Sequence, residues 1–164
     1  MIPEQFCTMH GMHTVADMEC MFDCMAQIPS DGWIINLGVY RGKSCMVFCE
    51  ALGSNRVCGI DNWRGGKDGG IGSSLELAQA YCLEHGYNPR FVTGDSLEIP
   101  DFVDKVACLF VDTTHKAERL KEELSVWEPL LVTGGVVMMH DYHDEFPEYK
   151  AFIDEHFRNW RCIG

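Results

Sequence analysis

The stretch Trp33-Ile34-Ile35-Asn36-Leu37-Gly38-Val39-Tyr40-Arg41-Gly42 joins a short apolar run to a turn that has two glycines four residues apart. The apolar run predicts a buried β-strand, and residues 43–52 predict a helix that ends at Gly53. Glycine lets the backbone of such a turn approach a ligand closely, and the start of the helix presents free N–H groups. The sequence here indicates an α/β domain with a ligand-binding loop at residues 36–42.

The rest of the chain repeats this alternation of apolar strands and helices. Further strands are predicted at residues 56–60, 90–93, 106–111, 136–140 and 160–163. Helices are predicted at residues 14–28, 75–85, 116–131 and 146–157, with Gly134 and Gly135 breaking the helix that precedes the fifth strand. Such alternation favours βαβ units, and strands that are apolar throughout favour a parallel sheet buried on both faces. We therefore predict an α/β, Rossmann-like three-layer sandwich with a mostly parallel sheet.

Composition limits the classes of function. A chain of 164 residues with 46% hydrophobic residues suits one domain over residues 1–164. It contains neither a secretion signal nor an apolar run of the roughly 18–20 residues that cross a bilayer, so we expect a cytoplasmic protein away from the membrane. A net charge of −12 argues against nucleic acid and favours a small-molecule or protein substrate, of which we expect a small molecule. The nine cysteines, an odd number, are expected to be reduced thiols, several in the core.

Acidic residues follow four of the predicted strands. They are Asp61, Asp95, Asp112 and Asp141. Ligands of an open parallel sheet bind beyond the carboxyl ends of its strands. Helix capping would explain one or two of these residues, whereas four at one edge favour a functional cleft.

Two nucleotide-binding classes fit the turn poorly. Tyr40 stands where the second glycine of a dinucleotide-binding G-x-G-x-x-G motif belongs, and Gly38 is one residue too close to Gly42-Lys43-Ser44 for a phosphate loop. Asp61, about 20 residues beyond the turn, is placed to accept hydrogen bonds from ribose hydroxyls. Asp95 is placed to accept one from an adenine amine. These features indicate a nucleoside ligand and disfavour both a nicotinamide-dependent oxidoreductase and an NTPase.

The combined pattern resembles class I S-adenosylmethionine-dependent methyltransferases. It consists of the glycine turn, Gly59-Ile60-Asp61-x-Trp63, Gly94-Asp95-Ser96, Val111-Asp112-x-x-His115, Gly134-Gly135 and His140-Asp141-Tyr142. The resemblance covers residues 33–142 and is greatest to macrocin and sugar O-methyltransferases and to cephalosporin-hydroxylase-like proteins. It implies methyl transfer from S-adenosylmethionine to an oxygen of a small hydroxylated acceptor such as a sugar. A non-catalytic or divergent S-adenosylmethionine-binding protein and a nucleotide-dependent oxidoreductase are the alternatives.

The resemblance also implies a set of cofactor-binding residues. The loop 36–42 would hold the methionine part, Asp61 the ribose, and Asp95 with Ser96 the adenine side. The family usually has an acidic residue where Asn36 stands. The chain stops near the sixth strand, so we expect a truncated C-terminal hairpin, with either a homodimer partner completing the substrate wall or a minimal form of the enzyme. The full predicted set is Asn36, Gly38, Tyr40, Gly42, Ser44, Asp61, Asn62, Trp63, Asp95, Ser96 and Asp112.

Asp112, His140 and Asp141 are the predicted metal ligands, because related O-methyltransferases hold a divalent ion at this place. Carboxylates suit Mg²⁺, whereas His140 suits Mn²⁺, Fe²⁺ or Zn²⁺ better. Such an ion would lower the pKa of an acceptor hydroxyl. His115 and Asp112 are the predicted catalytic residues, with His115 as a base for the hydroxyl proton. The alternatives are that His140 and Asp141 only cap the strand and that His115 only begins a helix.

Two other segments carry weaker signals. Cys7-x-x-His10-x-x-His13 has zinc-type residues without an evident fourth ligand, and it could instead cover the cofactor or the substrate. The glycine-rich loop at residues 63–72 is predicted to be either a lid that orders on ligand binding or a plain connector.

Overall fold

The computed structural model describes residues 2–9, 11, 13–64 and 74–163. Its centre is a five-stranded sheet with the order β3-β2-β1-β4-β5, in which every pair of neighbours is parallel. Because β1 pairs with both β2 and β4, the strand order reverses at β1, which is where open α/β sheets form a ligand crevice. The strands are β1 (Trp33–Leu37), β2 (Val57–Asp61), β3 (Arg90–Thr93), β4 (Val106–Val111) and β5 (Leu131–Met139).

Six helices cover the two faces of this sheet and form two hydrophobic cores. The apolar side chains of β1 alternate between them, so Ile34 packs in the first core and Ile35 in the second. Helices α1 to α4 line the first core, and α5 and α6 line the second. The predicted three-layer α/β architecture is confirmed. The helices are α1 (Gln5–Thr8), α2 (Val15–Met25), α3 (Lys43–Leu52), α4 (Leu75–Glu84), α5 (Ala117–Trp127) and α6 (Pro147–His156).

The prediction that Gly134 and Gly135 separate a helix from the fifth strand is wrong. Helix α5 ends at Trp127, and both glycines lie inside β5. Val106 of β4 pairs with Leu131, whereas Cys108 pairs with Val136, so two steps along β4 correspond to five along β5. Gly134 has a φ of +78° and allows this bulge, because glycine adopts left-handed backbone without a steric penalty.

The predicted sixth strand at residues 160–163 is also wrong. These residues follow α6 without strand pairing, and the indole of Trp160 packs edge-on against Phe157, with 4.9 Å between ring centroids. Trp160, Arg161 and Cys162 are exposed, so this run does not supply the buried side chains that a further strand of a parallel sheet needs. Within the described ranges, no helix has the length and apolar character that crossing a bilayer requires. The nine cysteines, all within the described ranges, are thiols rather than disulfides, and six of them are buried.

Candidate active site

The turn after β1 is held in place by the carboxylate of Asp61 at the end of β2. Its Oδ2 accepts hydrogen bonds from the main-chain N–H groups of Val39 at 2.8 Å and Tyr40 at 3.1 Å. Its Oδ1 accepts a hydrogen bond from the N–H of Trp63 at 2.7 Å. A carboxylate has about four acceptor positions, so Asp61 stabilises the turn and keeps capacity for about one more hydrogen bond.

Gly38 and Gly42 occupy positions where a side chain would collide with its surroundings. A Cβ at Gly38, which has a φ of +84°, would lie 1.9 Å from the main-chain oxygen of Asp112. A Cβ at Gly42, which has a φ of +85°, would lie 2.7 Å from Sγ of Cys82. Glycine is therefore needed for the close approach of the turn to β4 on one side and to α4 on the other.

Left-handed backbone occurs at three non-glycine residues of the described ranges, and all three lie at the carboxyl edge of the sheet. They are Tyr40 after β1, Trp63 after β2 and Asp141 after β5. Backbone strain of this kind costs about 1–3 kcal/mol per residue and concentrates at functional sites. The indole of Trp63 donates a hydrogen bond to Thr93 at 2.9 Å, while the neighbouring Asn62 is exposed.

Two buried polar atoms beside the turn have no hydrogen-bond partner. The amide nitrogen of Asn36 donates to the carbonyl oxygen of Gly38 at 2.8 Å, which leaves Oδ1 of this fully buried side chain unpaired. The hydroxyl of Ser44, in the first turn of α3, is also buried and unpaired. Buried polar groups without partners cost free energy, so both atoms fit a site in which a polar ligand completes the pairing.

Asp95 and Ser96 lie after β3 but differ in their surroundings. The Asp95 carboxylate is half exposed and forms a salt bridge with Arg119. Ser96 is turned inward, where its hydroxyl donates to Glu123 at 2.5 Å and accepts from Arg119 at 2.6 Å. Burial raises the pKa of Glu123, which Thr113 also contacts with its hydroxyl at 3.1 Å. Asp95 is therefore available to a ligand, whereas Ser96 is part of a buried network.

Beyond β4 and β5, imidazoles and carboxylates converge. Nδ1 of His140 lies 3.4 Å from Oδ1 of Asp112 and 3.1 Å from Oδ2 of Asp141. Nε2 of His115 lies 2.7 Å from Oδ2 of Asp141, and Nε2 of His13 lies 3.3 Å from Oδ2 of Asp112. The structure thus brings together the three predicted metal ligands and the predicted base, and it adds His13.

The cluster perturbs the ionisation of its own members. Burial on its own would raise the pKa of Asp112, but the imidazoles of His13 and His140 outweigh it and hold that pKa well below its usual range. Burial opposes a charge on His140, yet Asp112 and Asp141 raise its pKa to about 9. Strongly perturbed groups in a cleft are typical of functional sites.

Sequence reasoning missed His13 as a member of this cluster. It considered His13 only with Cys7 and His10. Cys7 is exposed on α1, and His10 lies outside the described residues. His13 is instead only 8% exposed, and its ring packs edge-on against that of His140, with centroids 4.6 Å apart. Its position just before the helix signal at Thr14 was the one available clue. Most of the predicted lid, residues 65–72, also lies outside the described residues.

Comparison with known proteins identifies the family. Residues 35–142, about two thirds of the chain, match the sequence profile of a methyltransferase domain. The chain belongs to this family. The class I methyltransferase predicted from the sequence is therefore confirmed, and methyl transfer is its class of reaction. No curated protein sequence matches the chain.

Solved structures share the fold of this methyltransferase at low sequence identity. The TDP-rhamnose 3'-O-methyltransferase of calicheamicin biosynthesis is 19% identical with a TM-score of 0.61, covering 94% of this chain and 77% of its own. An rRNA methylase from Streptococcus thermophilus is 12% identical with a TM-score of 0.59, covering 90% and 81%. The precorrin-8w decarboxylase of Methanobacterium thermoautotrophicum is 20% identical with a TM-score of 0.60, covering 97% and 80%. Their different activities show that the acceptor must be argued from the site.

Proposed function

We propose that this methyltransferase moves a methyl group from S-adenosylmethionine to an oxygen atom of a small hydroxylated acceptor, such as a sugar. The contact between the turn after β1 and the Asp112 cluster carries the proposal. No side chain fits at position 38, because the main-chain oxygen of Asp112 occupies the space that a Cβ of Gly38 would need. The turn after β1, which would hold the methyl donor, and the Asp112 cluster, which would hold the acceptor, therefore lie at the same edge of the sheet.

The donor side has residues that fit S-adenosylmethionine, whose sulfonium supplies an activated methyl group. The unpaired Oδ1 of Asn36 and hydroxyl of Ser44 are free to pair with polar atoms of the methionine part. The remaining acceptor position of Asp61 fits a ribose hydroxyl, and the half-exposed carboxylate of Asp95 fits the adenine amine. Asn36 keeps hydrogen bonding at this position but lacks the negative charge that its relatives offer.

On the acceptor side, His115 is the proposed base. Its ring packs on Phe146 with 4.3 Å between centroids, and its Nε2 faces Asp141. This fixes the ring and leaves Nδ1 for the proton of the acceptor hydroxyl. The protein's other task is to hold the hydroxyl oxygen in line with the methyl group, since orientation lowers the barrier of a two-substrate displacement.

A divalent cation fits Asp112, His140 and Asp141, because Nδ1 of His140 faces both carboxylates without forming a hydrogen bond. When bound, such an ion would polarise the acceptor oxygen.

The charge of the chain favours a small acceptor over RNA, although an rRNA methylase shares the fold. RNA and DNA binding depends on Lys and Arg contacts to phosphates. The chain has 13 basic and 25 acidic residues. A sugar or another polyhydroxylated molecule avoids that electrostatic penalty.

The first test is calorimetry with S-adenosylhomocysteine, with and without Mg²⁺, on the wild type, Asp61→Ala and the exposed-acid control Asp101→Ala. We expect the wild type and Asp101→Ala to bind equally and Asp61→Ala to bind weakly. Absence of wild-type binding at millimolar ligand would exclude the proposed donor. Equal binding by Asp61→Ala would refute the site assignment. Labelled methyl transfer to nucleotide sugars, catechols and RNA then identifies the acceptor class.

A further inference from the structure

The imidazoles of the Asp112 cluster point their nitrogens at carboxylates without forming hydrogen bonds. Nε2 of His13 and Nδ1 of His140 are both inaccessible to solvent and unpaired. Each lies close to one oxygen of the same carboxylate, at 3.3 Å and 3.4 Å. Since buried polar atoms are nearly always paired, these two nitrogens fit a site in which one bound group pairs with both.

Two of the separations between these atoms match those around a metal ion. Ligand atoms at about 2.1 Å from an ion, with angles of about 90–110°, lie about 3.0–3.4 Å from one another. Donor atoms of His13, Asp112 and His140 lie within 4.8 Å of one another as a group. A second such group, Asp112 with His115 and Asp141, shares only Asp112 with the first.

A carboxylate also faces the second ring nitrogen of His140. Its Nε2 lies 3.7 Å from Oδ2 of Asp17, too far for a hydrogen bond but close enough for electrostatic attraction. This carboxylate favours a proton on Nε2, which leaves Nδ1 for a metal. Asp17 is itself fixed, because it forms the capping box of α2 with Thr14.

The N-terminal segment is fixed where it brings in His13. The ammonium of Lys43, a side chain only 6% exposed, donates a hydrogen bond to the carbonyl oxygen of His13 at 3.0 Å. Gly11 packs against the stem of the same lysine, where a Cβ would lie 2.6 Å from Cδ. His13 is thus attached to α3 and held over the end of β4.

We propose that His13, Asp112 and His140 form a binding site for a first-row transition-metal ion such as Zn²⁺ or Fe²⁺, with discrimination against Mg²⁺. Two imidazoles and one carboxylate are donors that these ions prefer, whereas Mg²⁺ prefers oxygen ligands and water. The inference builds on the proposed function, because the ion would lie at the acceptor end of that site. It also makes residues 13–17 part of the site.

The test uses Co²⁺ as the probe, added to the full-length protein after removal of metal with a chelator. Visible ligand-field bands and calorimetry measure binding, and an excess of Mg²⁺ tests discrimination. Because exposed thiols also bind metals, all measurements are repeated in a variant with Cys7→Ser, Cys20→Ser and Cys162→Ser. Binding by thiolates would add an intense near-ultraviolet band that nitrogen and oxygen ligands do not give.

We expect one Co²⁺ per chain, no displacement by Mg²⁺ and an affinity loss of at least about tenfold in His13→Gln and His140→Gln. His85→Gln, a histidine outside the cluster, is the matched control and should bind normally. Pulsed electron paramagnetic resonance of bound Cu²⁺ in the wild type should detect two coordinated imidazoles, independently of how the variants fold.

Three results would overturn the proposal. They are displacement of Co²⁺ by Mg²⁺, normal binding by His13→Gln, and loss of Co²⁺ binding in the triple cysteine variant. Loss in His115→Gln together with normal binding in His13→Gln would assign the ion to the second group. Failure of the proposed function is a separate result, because metal-free protein would then not bind S-adenosylhomocysteine whether or not Co²⁺ binds.

Discussion

Replacement of Gly38 by alanine tests the contact between the donor turn and β4. The residue has a φ of +84°, and a Cβ would lie 1.9 Å from the main-chain oxygen of Asp112. Left-handed backbone costs an alanine about 1–2 kcal/mol. The collision is with main chain, so the turn and the end of β4 must separate by about 1 Å, a form of overpacking that costs about 1–3 kcal/mol more. Gly38→Ala should therefore lose about 2–5 kcal/mol of unfolding free energy.

Gly86→Ala is the matched control, because this glycine has nearly the same φ, +83°, and open space around it. It should lose only the backbone contribution of about 1–2 kcal/mol. Urea unfolding followed by tryptophan fluorescence measures both variants, and calorimetry measures S-adenosylhomocysteine binding. Binding should weaken at least about tenfold in Gly38→Ala alone, since a displacement of 1 Å has effects of this size. Equal stability losses in the two variants, with unchanged ligand affinity, would refute the reasoning.

Other changes have equally specific expected results. Asp61→Asn should lose about 1–3 kcal/mol of unfolding free energy in urea, because the amide NH₂ must face one of the main-chain N–H groups that donate to the carboxylate. An unchanged stability would contradict the role of Asp61 in holding the turn. His115→Gln should lower kcat for methyl transfer about 10²–10⁴-fold with S-adenosylhomocysteine affinity unchanged; a normal kcat would exclude it as the base. A thiol reagent at about pH 8 should modify three exposed cysteines in the folded protein and the six buried ones only after unfolding. Burial raises the pKa of the Cys58 and Cys82 thiols to about 12, so their thiolates are absent at that pH, and rapid reaction of all nine would contradict the packing.

Strands β1 and β4 could be predicted because they are buried on both faces. Residues 33–37 and 106–111 are apolar runs whose limits agree with these two strands. The same reasoning failed at β5, where only one of nine residues is classed as buried. Gly134 there marks a bulge, and a glycine that ends a helix has the same local signal as one that bends a strand. Pairing with β4 decides between them, and pairing is not encoded locally.

The residues of the candidate site also divide into those that the sequence predicts and one that it does not. The residues that directly follow strands, such as Asp61 and Asp112, could be predicted because parallel strands carry their carboxyl ends to one edge. His13 could not be predicted, since it precedes the first strand by 20 residues and is held at the site by the hydrogen bond from Lys43 to its carbonyl oxygen. Long-range attachment of a segment without regular structure leaves no periodic signal in the sequence.

Asp112 connects the two halves of the proposed reaction through different parts of one residue. Its main-chain oxygen sets the position of Gly38, and its main-chain N–H donates to the carbonyl oxygen of Leu37 at 2.8 Å. Its carboxylate faces His13 and His140. The main chain therefore fixes where the turn lies, and in the proposed reaction the side chain would help to set the acceptor end. Both belong to one partly buried residue at the end of β4, so the proposed donor and acceptor positions would be linked through a single residue. Such a link would let this sheet edge hold two reactants in line.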